Sequence, residues 1–199
     1  MPVKKSSALF YFGRFLFWLQ FTVIGRCCPE GGENIPKEGG VIIAPNHLSW
    51  WDPPLTGSMM KRPLHFMAKQ ELFDVPVLGF LIKRTNAFPV KRGSQDISAM
   101  RNAFSLLENG SPLLMFPEGT RSKDGKPGKA RAGVGMVACN AQVPVVPVKI
   151  ENTNNFFKLK KIKIKYGKPV MPPKEYSKND YIEFSQKVLD EIAKMKFEK

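Results

Sequence analysis

The chain has 199 residues, 43% of them apolar, and 31 basic against 17 acidic side chains give it a formal charge of +14. That length supports one domain with a real core, and 16 glycines and 17 prolines spread along the chain exclude fibrous and disordered classes. The charge calls for an anionic partner: a nucleic acid, an anionic membrane surface or a phosphorylated substrate. Composition does not choose among them.

Residues 8–24 are dominated by Phe, Leu and Trp, with Lys4 and Lys5 before them and Arg26 after. The run is short for a spanning helix and contains Arg14 and Gln20. No small-residue cleavage site follows, which argues against a signal peptide. The pattern predicts an interfacial helix over residues 1–27, with aromatics at headgroup level and flanking basic residues on anionic lipid. Cys27, Cys28 and Cys139 do not make a disulfide framework and read as thiols of a reducing compartment. A Pro- and Gly-rich connector over 29–40 leads into a second segment, 28–199, which holds the remaining elements.

Val41–Ala44 is an apolar run that reads as a buried strand. A polar segment follows it directly, with His47 and, five residues on, Asp52, then Pro53 and Pro54. The tandem prolines end any strand and suit the first turn of a helix, expected to about Met60. His47 therefore falls at a strand end and Asp52 on the turn or first helical turn beyond it, where α/β folds place their chemistry. A histidine there can take and return a proton near neutral pH, with the carboxylate fixing its tautomer.

Residues 63–68 predict a strand ending at Lys69, in which His65 has a structural role. On spacing alone Lys69 is compatible with a solvated surface lysine. The apolar run Leu78–Ile82 ends in Lys83-Arg84, and a strand over 87–90 ends in Lys91-Arg92. Basic pairs at two such ends hint at a phosphate pocket. Residues 93–110 predict a helix capped by Ser94 or Asp96, with Ile97, Met100, Phe104 and Leu107 on its core face.

A strand over 113–116 leads to a second motif, Phe116-Pro117-Glu118-Gly119-Thr120-Arg121-Ser122. Pro117 to Thr120 form a turn in which Gly119 permits close approach to a ligand. Arg121 is placed to bind phosphate, and Glu118 holds either Arg121 or a substrate hydroxyl. The basic loop 122–129 is either a lid or plain exposed loop. A small-residue helix over 130–141 is expected to pack close to a sheet, followed by a buried strand over 143–150. Residues 161–166 alternate as a strand with one lysine face, which reads as an edge or as a contact for anionic partners. The tail predicts an amphipathic helix with Ile182, Val188, Leu189, Ile192 and Met195 inward. The element order points to an α/β single domain with a central mixed β-sheet flanked by helices. No Cys/His spacing suggests a metal site.

Asn46, His47 and Asp52 match the first motif of the glycerolipid acyltransferases, and Phe116 to Ser122 match the third at every position. Gly79 to Arg84 match the second loosely, and Val143 to Val148 the fourth. Over roughly residues 30–170 the chain resembles the bacterial 1-acyl-glycerol-3-phosphate acyltransferase family. That resemblance implies the glycerol-phosphate acyltransferase fold. It implies acyl transfer from acyl carrier protein or a coenzyme A thioester to the 2-hydroxyl of lysophosphatidic acid, with no resident cofactor and no metal. His47 would be the base and Asp52 its orienting partner. Lys69, Arg121 and Arg84 would hold the phosphate, with Glu118 and Gly119 beside it and backbone amides forming the oxyanion hole. The place implied is the cell membrane, peripheral or monotopic on the cytoplasmic face. Other readings are a different acceptor, such as glycerol-3-phosphate or a lyso-phospholipid, or a basic binding protein without turnover. A nucleic-acid partner is not expected, because it would leave the two motifs unexplained.

Overall fold

The computed structural model describes residues 6–91, 96–122 and 128–198. Among the described residues seven strands form one sheet: β1 (Pro29–Glu30), β2 (Val41–Pro45), β3 (His65–Lys69), β4 (Ala87–Val90), β5 (Pro112–Leu114), β6 (Val145–Glu151) and β7 (Lys163–Tyr166), in the order β1-β7-β6-β2-β5-β3-β4. From β6 to β4 all neighbours are parallel, whereas β7 runs antiparallel to β6 and carries β1 with it. The sheet is therefore mixed, as the element order implied. Its helices are α1 (Ala8–Val23), α2 (Asp52–Met59), α3 (Leu78–Ile82), α4 (Ile97–Glu108), α5 (Ala132–Ala141) and α6 (Asp180–Lys194).

The central strands are buried on both faces, which is why they read as unbroken apolar runs. Val41, Ile43, Leu114, Val146 and Val148 face one core, shared with Phe21 of α1 and Leu55 of α2. Ile42, Ala44, Leu113, Met115 and Val145 face the other, shared with Leu107 of α4, Val134 and Val137 of α5, and Val188 and Ile192 of α6. Two helical layers thus enclose the sheet.

Several elements differ from the sequence-based expectation. Leu78–Ile82 is a short helix, α3, rather than a strand-like run. Helix α4 buries Ala99, Ala103 and Leu107, with Met100 and Phe104 packed partly buried against the same core, and leaves Ile97 64% exposed, so the core face takes in the two alanines and leaves out Ile97. Its cap is Asp96, whose side chain accepts from Ala99 N; Ser94 and loop residues 123–127 lie outside the described residues. Helix α6 turns Phe184 and Ser185 inward and leaves Ile182 exposed. The small residues of α5 serve its neighbour more than the sheet: a Cβ at Gly135 would run into the carbonyl of Tyr181 on α6. Strand β7 is not an edge, because two-residue β1 pairs along it and Glu30 meets Lys165 at 2.8 Å.

Helix α1 lies along α2. Phe21 is fully buried, and Arg14, the charge that interrupts the apolar run, donates to the carbonyls of Met60 and Lys61 at the end of α2. Cationic donors commonly satisfy such terminal carbonyls. Tyr11, Phe12, Phe15 and Trp18 remain exposed on the other side. Among the described residues no helix is long and apolar enough to cross a membrane.

Candidate active site

The site grows out of the pairing of β2 with β5. Val41 lies opposite Pro112 and Ile43 opposite Leu114. Carried past the strand ends, that register brings Glu118 beside His47, and the backbone N–H of His47 donates to Glu118 Oε1 at 3.1 Å. The two motifs, far apart in sequence, are neighbours because their strands are. On the other side of β2, Asn46 extends the ladder to β6: its side chain donates to Ile150 O at 3.0 Å and accepts from Ile150 N at 2.7 Å. This fixes the backbone on which His47 stands.

His47 Nδ1 lies 2.8 Å from Asp52 Oδ2, with His47 only 6% exposed and Asp52 fully buried. Asp52 opens α2, and its Oδ2 also accepts from Leu48 N at 2.6 Å and Ser49 N at 2.7 Å. The prolines at the start of α2 lack N–H groups and cost nothing in a first turn. A carboxylate held by two backbone amides, facing Nδ1, leaves Nε2 as the basic nitrogen of the ring. Asp52 Oδ1 is reached by the hydroxyl of Thr153, 2.6 Å away.

The second motif clamps His47 on three sides. Phe116 stacks on the imidazole with centroids 3.8 Å apart, Glu118 takes the N–H, and Ser122 N donates to the His47 carbonyl at 2.8 Å. Glu118 is buried, and its second oxygen accepts from Gly128 N at 2.9 Å. The carboxylate is thus a brace between the backbone at His47 and that at Gly128, a role not among the two the sequence suggested. Gly119 has φ +68, and the atom nearest to an added Cβ would be Arg131 Cδ at 2.7 Å. The close approach at this glycine comes from the Arg131 side chain, which sequence reasoning missed.

Arg121 lays its guanidinium over the ring of Trp50, 3.9 Å from the centroid, with both residues exposed. Trp50 is 63% exposed and serves as a platform for the arginine. Lys69 ends β3, at the same carboxyl edge of the sheet, and pairs with Glu71 at 2.9 Å. Arg84 is elsewhere. It precedes β4, at the opposite edge, with its guanidinium 3.6 Å from the Phe80 ring centroid and its carbonyl accepting from Ser7 at the start of α1. The structure thus brings His47, Asp52, Glu118, Gly119 and Arg121 together, sets Lys69 along the same edge, and places Arg84 apart. Thr153 carries no sequence signal of its role, and the motif match at Asn46 does not reveal its partner, since both partners lie more than a hundred residues away. Among the described residues no group of His, Cys, Asp and Glu could hold a metal ion.

A sequence model of the family described as acyltransferase matches residues 26–151. The 1-acyl-sn-glycerol-3-phosphate acyltransferase of Bacillus subtilis is 32% identical over 142 residues, 69% of this chain and 70% of that protein. A lyso-ornithine lipid O-acyltransferase of Pseudomonas aeruginosa is 34% identical over 75% of this chain and 55% of its own length. Other relatives named as 1-acyl-sn-glycerol-3-phosphate acyltransferases are longer, and the chain spans 35–53% of their lengths. The crystal structure of the 1-acyl-sn-glycerophosphate acyltransferase PlsC from Thermotoga maritima superposes with a TM-score of 0.74 at 31% identity, covering 96% of this chain and 80% of that one. The motifs, the mixed sheet that joins them and these relatives agree, and the chain belongs to the acyltransferase family that includes the PlsC-type 1-acyl-sn-glycerol-3-phosphate acyltransferases.

Proposed function

We propose that this chain moves a fatty acyl group from a thioester of acyl carrier protein or coenzyme A to the 2-hydroxyl of 1-acyl-glycerol-3-phosphate, giving phosphatidic acid. The observation that carries the reading is the buried His47–Asp52 pair at 2.8 Å, set beside a loop that presents Arg121. The acceptor hydroxyl takes the place that a nucleophilic serine holds in a catalytic triad. His47 Nε2 removes its proton as the oxygen attacks the thioester carbonyl. Asp52 steadies the imidazolium that forms. Collapse of the tetrahedral intermediate breaks the carbon–sulfur bond, and the same proton leaves on the departing thiol. Arg121, backed by Trp50, and Lys69 bind the acceptor phosphate and so align the hydroxyl with His47. Arg84, at the other sheet edge, is left out of this phosphate site. No resident cofactor or metal enters the scheme.

The exposed aromatic face of α1, with Phe12 at 60% and Phe15 at 54%, is read as lying on an anionic bilayer, joined by Val77 and Phe80 at α3. Residues 1–27 then serve as the membrane-facing segment and 28–199 as the acyltransferase domain, peripheral or monotopic on the cytoplasmic face. A second acceptor is supported by the 34% identical relative named for a lyso-ornithine lipid. The test is acyl transfer by purified protein in lipid vesicles, with lysophosphatidic acid and each thioester, and His47→Ala beside it. Phosphatidic acid from the native protein alone is the expected result. Transfer only to a lyso-lipid without a phosphate would replace the acceptor, and product from His47→Ala at the native rate would overturn the base.

A further inference from the structure

Thr153 opens the 3-10 helix Thr153–Lys158 that follows β6. It lies beyond the segment matched by the family model, and its hydroxyl donates to Asp52 Oδ1 at 2.6 Å with both residues buried. The two oxygens of Asp52 are served very differently. Oδ2 faces His47 Nδ1, Leu48 N and Ser49 N, whereas among the described residues it is the Thr153 hydroxyl that donates to Oδ1. A buried carboxylate oxygen with no donor is costly, and the group escapes by rotating toward another donor. Such a rotation would take Oδ2 away from the imidazole. We infer that Thr153 is a positioning residue of the acyl transfer, holding the Asp52 carboxylate at the angle from which Oδ2 orients His47.

The placement of Thr153 is itself well determined. Asn152 adopts a left-handed backbone with φ +69 just before it, and its side chain donates to Lys161 O at 2.8 Å, pinning the turn. Phe156, one turn further on, is buried against Trp51, 5.1 Å between centroids, and Trp51 is the residue that precedes Asp52. The 3-10 helix therefore grips α2 at two points, one apolar and one polar. A threonine suits this position: it is enclosed at 1% exposure, and its branched side chain is restricted at χ1.

This inference rests on the proposed function for its kinetic readout, so a second readout is independent of substrate. Thr153→Val removes the hydroxyl and keeps the shape; Thr153→Ser keeps the hydroxyl. Thr153→Ala, compared with Thr153→Ser, repeats the contrast in case the valine does not fold. Turnover of lysophosphatidic acid should fall about 10- to 100-fold in kcat without the hydroxyl, with KM for the acceptor unchanged, and serine should recover most of it. In an Asp52→Asn background the valine should add little further loss, because the charge it served is gone. In the absence of substrate, the proton resonance of His47 Nδ1, identified by its loss in His47→Gln, should move in Thr153→Val and stay in Thr153→Ser. A kcat within about two-fold of native in both hydroxyl-free variants, with the resonance unmoved, overturns the inference. Equal losses in serine and valine overturn it as well. A native protein without turnover refutes the proposed function instead, and the resonance alone then decides for or against Thr153.

Discussion

Replacing Glu118 with glutamine separates a brace from a ligand contact. The carboxylate accepts two backbone N–H groups, His47 N at 3.1 Å and Gly128 N at 2.9 Å, in a site that is 4% exposed. A carboxamide of the same shape can accept only one of them and turns its own NH2 toward the other. The loss is one charge-assisted hydrogen bond plus a donor facing a donor, about 2 kcal/mol. For a chain of this length that lowers the melting temperature by about 4–8 °C. The His47 backbone also loses its tether, and a shift of a few tenths of an ångström at the base is expected to lower kcat by about 10- to 100-fold. The acceptor KM should stay near native, since the carboxylate faces backbone and not the phosphate site. Thermal melting and steady-state kinetics on lysophosphatidic acid read both effects. A native melting temperature with a raised acceptor KM would refute the brace and return Glu118 to the role of a substrate contact.

Trp50→Ala removes the platform under Arg121, so the acceptor KM should rise about two- to five-fold with kcat held, measured over a range of lysophosphatidic acid concentrations. Gly135→Ala forces α5 away from Tyr181 on α6 and should cost about 1–3 kcal/mol by urea denaturation, whereas the same change at Gly13, whose Cβ would meet open space, should not. Burial pushes the Cys27 thiol up from 9.0 to about 12 and raises the Tyr166 phenol as well. The fold keeps protons that the unfolded chain releases, so stability is full below about pH 9 and declines as pH climbs toward 12. Urea midpoints at about pH 8 and about pH 11 should show that fall, and a thiol reagent should label exposed Cys28 in the folded protein long before Cys27.

The strands were legible because their burial on both faces writes itself as runs such as Val41–Ala44 and Val145–Val148. The His47–Asp52 spacing was legible for a similar reason: the apolar run and the prolines on either side fix how the intervening turn closes. The face of α4 was legible in part: Met100, Phe104 and Leu107 meet the core as expected, but hydrophobic size also points to Ile97, which is exposed, while close packing selects Ala99 and Ala103. The place of Arg84 was hidden by reading Leu78–Ile82 as leading to a strand end; as helix α3 it returns the chain to the other edge of the sheet. The role of Glu118 needed the register between β2 and β5, and the role of Thr153 needed the path from β6 back over α2. Both are properties of pairing between distant segments, which local pattern does not record.

The aromatic contacts at the end of α1 change what that helix is for. Phe21 meets Trp51 at 6.2 Å and Phe156 at 5.9 Å, and those two residues flank the groups that carry and hold Asp52. The inner side of the helix is therefore part of the wall behind the reacting centre, while its outer side is the greasy one. Trimming the N-terminus to obtain a better-behaved protein would leave a hole of aromatic size at the root of the site and release the Met60 and Lys61 carbonyls that Arg14 caps. Solubility is better sought by exchanging Phe12, Phe15 or Trp18 for polar side chains in place, which spares the wall and alters only what faces outward.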